Sequence, residues 1–343
     1  YNVRRRRRND GDGTFSTGPF GDRTVVVAGT NGKGSFCKVL QTLLTASRFK
    51  TGLFTSPHLI HICERIQVDG QPVSEEQFVR LFNRIESLTA DLRLNYFEIL
   101  TLMAYWHFFL DNQNPSVDWA IFEVGVGGED DSTAAIEHNF SVITRLGLDH
   151  QHLLGSTRRS IATAKFGIVR PHNLVLHYKF EDEDVGDLAR ERALQTTSQW
   201  VQAPVYPMEV TDGPCFNLQT PCGRCAVSLP GQRGAQNISA ALKFISMILP
   251  HVEPCHLRAL QDIHWPGRMQ AMPVSQSPCR IYYSGDHNVQ GLQSLLELLN
   301  FYPRRTLRIL FACSASKDAD ALLSLIFSIP NCEVYLTETD FKS

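Results

Sequence analysis

The sequence has 343 residues, enough to bury a full core and form two domains, and its 33 Lys and Arg against 35 Asp and Glu leave a formal charge of -2. That balance gives no global reason to expect nucleic acid or an acidic membrane surface as a partner. No run approaches a membrane span, since the most apolar one, Leu100 to Leu110, is interrupted by Tyr105 and His107; nine scattered cysteines without a signal-peptide pattern suit a reducing compartment, the cytoplasm first and the mitochondrion second.

In chain order, the basic run Arg4 to Arg8 lies in a polar lead that reads as a loose arm over residues 1–20, in preference to a targeting or nucleic-acid segment. Val25 to Ala28 then form a β-prone run that enters Gly29-Thr30-Asn31-Gly32-Lys33-Gly34-Ser35, and a helix-like segment follows from Phe36 to Ala46. A glycine-rich turn between a strand's carboxyl end and a helix's amino end is an anion site. Its glycines let the backbone curl round a polyphosphate, Lys33 supplies a mobile positive charge, and Thr30 or Ser35 can add a hydroxyl. The match to the ordinary phosphate loop is off-pattern, because Val27 holds the first glycine position and Gly34 intervenes before Ser35. Lys33 suits terminal phosphates better than a dinucleotide's pyrophosphate bridge.

A short apolar run then ends in Thr55-Ser56-Pro57-His58-Leu59, and parallel α/β topology brings Ser56 and His58 to the same sheet edge as Lys33. Glu64 to Gly70 reads as a loop with a turn, Ser74-Glu75-Glu76-Gln77 as a capping-box start to a helix reaching Leu88, and Tyr96 to Leu110 as an apolar helix with its aromatics in the core. Trp119 to Val124 is a buried-strand pattern with a carboxylate near its end. Burying Glu123 is costly unless it is paired or metal-bound, so it is either a magnesium ligand or half of a structural ion pair. A flexible acidic loop follows to Thr133, then a strand from Phe140 to Ile143 that leads to Asp149-His150, where His150 is a candidate functional histidine.

Ser160 to Phe166 is read as helix carrying Lys165, Leu174 to Leu176 as strand, Pro204 to Leu229 as short β-runs, and Gln236 to Leu249 as helix. Cys222 and Cys225, with Cys215 nearby, have metal-ligand spacing but lack a fourth ligand, which favours an incidental turn over zinc. From about residue 274 three strand patterns alternate with helices: Cys279 to Tyr283, Thr306 to Phe311 and Cys332 to Leu336. The fold class expected is α/β, a large phosphate-loop parallel-sheet domain over 21–272 and a small second α/β domain over 274–343.

The order of these motifs resembles the folylpolyglutamate synthases and dihydrofolate synthases, relatives of the ligases that add amino acids to bacterial cell-wall precursors. The pieces carrying the resemblance are Ala28 to Ser35, Thr55 to Leu59 with Glu64-Arg65-Ile66, Phe97 to Thr101, Glu123 to Gly128 with Asp131 and Thr133, and Leu148-Asp149-His150 with Leu154-Gly155 and Thr157. Lys165 with Gly167-Ile168, Trp265-Pro266-Gly267-Arg268 and a weaker match at Gly285 to Asn288 complete them. The resemblance implies an ATP-dependent ligase that adds L-glutamate to a folate or dihydropteroate carboxylate through an acyl phosphate, as a monomer, with the domain over 274–343 Rossmann-like and shortened at its end. It implies that Gly29 to Ser35 hold the ATP phosphates, with Arg268, Ser284 and His287 reaching the nucleotide from the hinge and the second domain. Ser56, Glu123 and His150 match magnesium ligands, Lys165 matches a lysine that is carbamylated, and Pro57, His58, Glu64 and Arg65 match the loop that meets the pterin. Lys33, His150 and Lys165 are thus the catalytic candidates.

Several positions depart from the pattern. Ser284 stands where Asp is usual, Asp286 replaces Ala, Val289 replaces Pro, Arg233-Gly234 replaces His-Gln, Ala164 replaces Glu and Ala134 replaces Asn. Loss of the carboxylate at position 284 is expected to weaken nucleotide contacts from the second domain. The alternatives to an active ligase are a degenerate member that binds nucleotide or pterin without ligation, and a small-molecule kinase that uses the same loop.

Overall fold

The computed structural model describes residues 23–111, 116–210, 216–273, 279–302, 306–314 and 317–337, so the Arg4–Arg8 arm and Cys215 lie outside the described residues. The central sheet draws on β1 (Thr24–Ala28), β2 (Thr51–Phe54), β3 (Ile66–Val68), β4 (Gln71–Pro72), β5 (Trp119–Glu123), β6 (Phe140–Ile143), β7 (Leu174–His177) and β8 (Gln199–Gln202). Their spatial order is β4-β3-β2-β5-β1-β6-β7-β8. All neighbours from β2 to β8 are parallel, and β3 and β4 extend the sheet antiparallel at one edge. Glu64 to Gly70, expected as a loop, therefore supplies the strand next to the edge, which the short Ile-Gln-Val alternation was too brief to announce.

β1 is wholly buried because both faces of the sheet are covered. Val25 and Val27 enter the core beneath α1 (Lys33–Ala46), while Val26 and Ala28 enter the opposite core with α2 (Glu75–Leu88) and α3 (Tyr96–Phe109). Both later helices begin with reciprocal capping boxes, Ser74 with Gln77 and Asn95 with Glu98, which satisfy backbone donors that a helix start leaves without partners. After β6 come α4 (Gln151–Leu154) and α5 (Arg158–Phe166), and α6 (Glu183–Thr196) links β7 to β8. The sequence did not announce α6 or β8: α6 buries only Val185, Ala189 and Thr196, and β8 is a half-exposed edge.

A three-stranded antiparallel sheet, β9 (Met208–Val210), β10 (Phe216–Thr220) and β11 (Gly223–Val227), joins the first core through Phe216, Leu218, Cys225 and Val227. Cys225 is buried there, whereas Cys222 is exposed in the turn. Next, α7 (Gly231–Ile248) lies against α1, followed by α8 (Pro254–Ala259). α7 starts earlier than its apolar periodicity suggests because its first turn, Gly-Gln-Arg-Gly, carries no apolar side chain.

The remaining elements are β12 (Gln270–Met272), β13 (Ile281–Tyr283), α9 (Val289–Leu299), β14 (Leu307–Phe311), α10 (Ala319–Phe327) and β15 (Cys332–Leu336). Parallel β14 and β15 with α9 and α10 enclose a small core around Leu292, Leu322 and Ile326, the βαβ arrangement expected of this region. Among the described residues β13 pairs antiparallel with β12 instead of with β14. No helix among the described residues is long and apolar enough to cross a membrane.

Gly52 of β2 shows how tightly α3 is seated. A Cβ there would lie 2.8 Å from the ring of Phe108, which is itself fully buried. Gly52→Ala is expected to lower stability by roughly 1–3 kcal/mol through overpacking, read as a reduced urea midpoint with an unchanged slope.

Candidate active site

The phosphate loop is built by the sheet register. β1 lies between β5 and β6, so the segments leaving β1, β5 and β6 meet at one edge. Gly29 has φ +151°, and a Cβ on it would stand 1.9 Å from Thr144 Oγ1, so only glycine can leave β1 there. The Thr30 hydroxyl donates to the Gly147 carbonyl at 2.9 Å and accepts from the Gly147 N–H at 3.0 Å. The Thr30 and Asn31 N–H groups both donate to the Arg145 carbonyl. Thr30, one of the two residues expected to add a hydroxyl, ties this loop to the one after β6.

Gly32 (φ +92°) is the N-cap of α1, and no side chain caps that helix. The first-turn N–H groups and the positive end of the helix dipole thus open where the loop curls. Lys33 is the first helical residue, and its Nζ donates to the carbonyls of Gly29 at 3.1 Å and Thr30 at 3.4 Å. The off-pattern Gly34 has a structural cause: a Cβ there would lie 3.2 Å from Glu123 Oε2 and 3.3 Å from Trp265. Ser35, one residue on, is buried in the first turn.

Glu123 ends β5 and is 4 % exposed. Burial raises its carboxyl above the usual value, and Lys33, the Ser56 N–H, Arg268 and the Gly34 N–H pull the other way. The Ser56 N–H donates to Glu123 Oε2 at 3.1 Å, so Ser56 and Glu123 are brought together as expected. His150 opens α4 with φ +51°. Burial lowers its pKa, as do Lys317, Lys165 and Lys33, while Asp149 opposes the shift. A neutral imidazole results, able to accept a proton or ligate a metal. Lys165, on α5, is also buried; desolvation, reinforced by Lys33, pushes its ammonium down to about 7, against Asp149 and Asp131. Asp131 shapes the acidic loop by accepting from the Gly125 and Val126 N–H groups and from Thr133.

The carboxy-terminal elements close over this edge. Asp149 accepts from Lys317 Nζ at 2.6 Å, Asn288 Nδ2 at 3.0 Å and the His150 N–H at 2.9 Å, with the His287 ring 3.7 Å away. Burial opposes ionisation, but His287, Lys317 and Asn288 hold the Asp149 carboxyl far below the usual range. Asn31 and Asn288 exchange side-chain hydrogen bonds at 3.1 Å, and Asn31 also donates to Gln290 at 2.7 Å. Asn31 is thus a tie between the loop and α9. The sequence named Asn31, His287 and Asn288 but held no sign of Asp149, Gln290 or Lys317 as their partners, nor of Tyr178, whose hydroxyl donates to Asn237 behind Gly32.

A crevice with a cavity volume of ≈ 70 Å³ is lined by Asn31, Gly32, Asn237, Arg268, Ser284 and His287 among others. Arg268 reaches it from the segment before β12, and the Gly285 N–H donates to the Gly267 carbonyl at 2.9 Å beside it. The loop expected to meet a pterin runs past Pro57. There Arg65 is buried, donates to His58 Nδ1 at 2.9 Å and lies 5.4 Å over the Tyr96 ring. The Glu64 carboxylate accepts from the N–H groups of Leu59, Ile60 and His61. It thereby shapes the loop that carries His58 and Arg65.

A parallel sheet with an uncapped helix start, an adjacent lysine and a buried carboxylate, followed by a smaller α/β unit, defines an α/β protein of the phosphate-loop type. No protein-family model matches the chain. It is 33% identical over 323 residues to the probable folylpolyglutamate synthase of Schizosaccharomyces pombe, covering 86% of this chain and 60% of that protein. It is 31% identical over 318 residues to the dihydrofolate synthase/folylpolyglutamate synthase of Escherichia coli, covering 90% of this chain and 70% of that one. The solved structure of Escherichia coli FolC in complex with DHPP and ADP superposes with a TM-score of 0.76 at 27% identity, covering 92% of this chain and 80% of the other. The chain belongs to the folylpolyglutamate synthase/dihydrofolate synthase family, of which it spans about three-fifths of the fission-yeast relative's length.

Gly34→Ser, which would place a hydroxyl directly after Lys33 as the ordinary loop does, is expected to weaken AMPPCP binding by about tenfold, because the new side chain meets Glu123 and Trp265; calorimetric titration reads it. Lys165 gives a pH test. Its folded pKa lies below the unfolded one, so the unfolded state binds more protons between pH 7 and 10 and stability rises with pH there. Lys165→Met should therefore raise the melting temperature more at pH 6.5 than at pH 9, and an equal gain at both would refute a buried, depressed amine.

Proposed function

We propose that this chain is an ATP-dependent ligase that joins L-glutamate to the carboxylate of a folate or dihydropteroate through an acyl phosphate. The observation that carries it is the convergence at one sheet edge of Lys33 at the uncapped start of α1, buried Glu123, and Lys165 with its depressed amine. The ADP bound in the E. coli complex, and the names of both relatives, support ATP and folate-type substrates for this chain.

A carboxylate is a poor acylating agent. Transfer of the terminal phosphoryl group of ATP to its oxygen creates a leaving group; the amine of glutamate then attacks the carbonyl carbon, and phosphate departs as the amide forms. In this scheme Gly29 to Ser35 cradle the phosphates, and Lys33 moves from the loop carbonyls to the transferred group, where its charge is needed. Arg268, Ser284 and His287 face the nucleotide from the crevice. His58 and Arg65, with Pro57 beside them and Glu64 shaping the turn, receive the pterin. Residues 21–272 serve as the ATP-binding unit and 274–343 as the glutamate-binding unit. Closure of the second unit aligns the amine and excludes the water that would hydrolyse the intermediate.

Ser56, Glu123 and His150 fit a magnesium ion. Glu123 is a buried carboxylate held by backbone N–H groups beside the phosphate loop, and this cation commonly takes one or two carboxylates together with substrate phosphates. When bound, the ion offsets phosphate charge. Among the described residues no group of three His, Cys, Asp or Glu is placed to hold a metal without such oxygens. Lys165 is the proposed carbamylation site: its neutral amine adds to carbon dioxide, forming an N–C bond and releasing a proton, and the resulting carboxylate stands near Lys33.

Incubation with ATP, magnesium, glutamate and dihydropteroate or a reduced folate should give a product heavier by one glutamyl residue, with stoichiometric phosphate release. Lys33→Ala should lower kcat/KM by roughly 100-fold or more. Absence of product with every pterin substrate would sink the ligase function, and unaltered turnover in Lys33→Ala would remove the lysine from the phosphate site.

A further inference from the structure

The nucleotide crevice contains a charge pair to which the chemistry above gives no part. Arg233, in the first turn of α7, meets Asp286, in the loop after β13, through both guanidinium ends: NH1 with Oδ1, and NH2 with Oδ2 at 3.0 Å. The Asp286 side chain is 7% exposed and that of Arg233 is 26% exposed. The Ser284 hydroxyl donates to Asp286 Oδ2 at 2.7 Å. Burial alone would raise the Asp286 carboxyl, but Arg233, with Ser284 and Arg268 adding to it, holds it below its usual value. A two-point contact of this kind fixes the plane of the guanidinium as well as its position.

Three of the positions that depart from the family pattern thus meet at one carboxylate: 233 and 284 each bond to 286. The carboxylate missing at 284 is present two residues later, with the Ser284 hydroxyl bonded to it and an arginine opposite. Arg233 also lines the crevice with Gly32, Asn237 and Arg268, and two contacts to Asp286 leave further guanidinium donors for a ligand. Because α7 packs on α1 and Asp286 sits in the loop that leads into α9, the pair spans from the phosphate-loop helix layer to the carboxy-terminal unit.

We propose that Arg233 is a nucleotide-contacting residue of this chain, and that Asp286, braced by Ser284, is the residue that positions it and latches the carboxy-terminal unit over the bound nucleoside triphosphate. The proposal rests on the crevice being the nucleotide site. A purely structural pair would have little reason to line that crevice, and exchanging a buried ion pair for apolar groups of similar volume often costs no stability.

The test is calorimetric titration of AMPPCP into the native chain, Asp286→Asn, Arg233→Met and the double variant, with steady-state KM values for ATP and the pterin substrate. Each single variant should weaken AMPPCP binding about tenfold, and the double should bind no more weakly than Arg233→Met, because the two residues act as one unit. KM for ATP should rise in parallel while that for the pterin substrate changes less than about twofold. Native-like AMPPCP affinity in both single variants, independent multiplication of their effects, or an equal rise in both KM values would overturn the proposal. Should Asp286→Asn fail to fold, Ser284→Ala removes one brace and should weaken AMPPCP by about threefold, with no change counting against the latch. AMPPCP binding does not depend on ligation. A chain that forms no product yet shows this pattern keeps the latch and loses the ligase function, and a ligating chain with unaffected variants does the reverse.

Discussion

Burial of like and unlike charges around Lys33 is the constraint on which the rest of the site depends. Glu123 and Lys165 are both nearly removed from solvent, and each costs free energy to hold charged there. Lys33 lowers the cost for Glu123 and raises it for Lys165. Lys33 and Lys165 repel one another, and an anion at the start of α1 would relieve that repulsion. Gly34 bears on this constraint too, since a Cβ there would crowd the Glu123 carboxylate at 3.2 Å.

The seam between the sheet edge and the carboxy-terminal elements is of a different physical kind. At the sheet edge it is made of hydrogen bonds and ion pairs: Asp149 with Lys317 and Asn288, Asn31 with Asn288 and Gln290, and Gln290 with the Leu146 carbonyl. The carboxy-terminal unit has a small core of its own around Leu292, Leu322 and Ile326, while Leu298 at the far end of α9 joins the first core and Phe301 meets Phe216 edge-on. The polar side of the joint can give up its hydrogen bonds to water at far less cost than the apolar side can be exposed, so opening by rotation about the Leu298 contact is cheaper than separation. Such a joint suits the proposed ligase, which would admit its substrates and then shut out water.

Strong local signals were legible in the sequence and weak or distant ones were not. β1, β5 and β6 announced themselves by continuous apolar runs, and α2 by its capping box. α6 and β8 were silent because their faces are mostly polar. The loop residues were found by motif, yet motif alone does not say which atoms face a ligand. The Thr30 hydroxyl is spent on Gly147 and the Glu64 carboxylate on three backbone N–H groups of its own turn. Partners such as Asn31 with Asn288, 257 positions apart, have no local signature at all.

The departures from the family motif illustrate the same limit in a form that matters for function. Taken one at a time, Ser284 is a lost carboxylate and Asp286 an intruding charge, and both suggest decay. In space they are one arrangement, in which the hydroxyl at 284 and the guanidinium at 233 hold the carboxylate that 286 supplies. A buried carboxylate introduced without a partner would cost several kcal/mol or take up a proton. Asp286 does neither, because Arg233 stands opposite it. Paired substitutions of this kind are the outcome expected where a charge at the crevice is still required, since a site released from that requirement gains nothing by burying a new ion pair beside its phosphate loop.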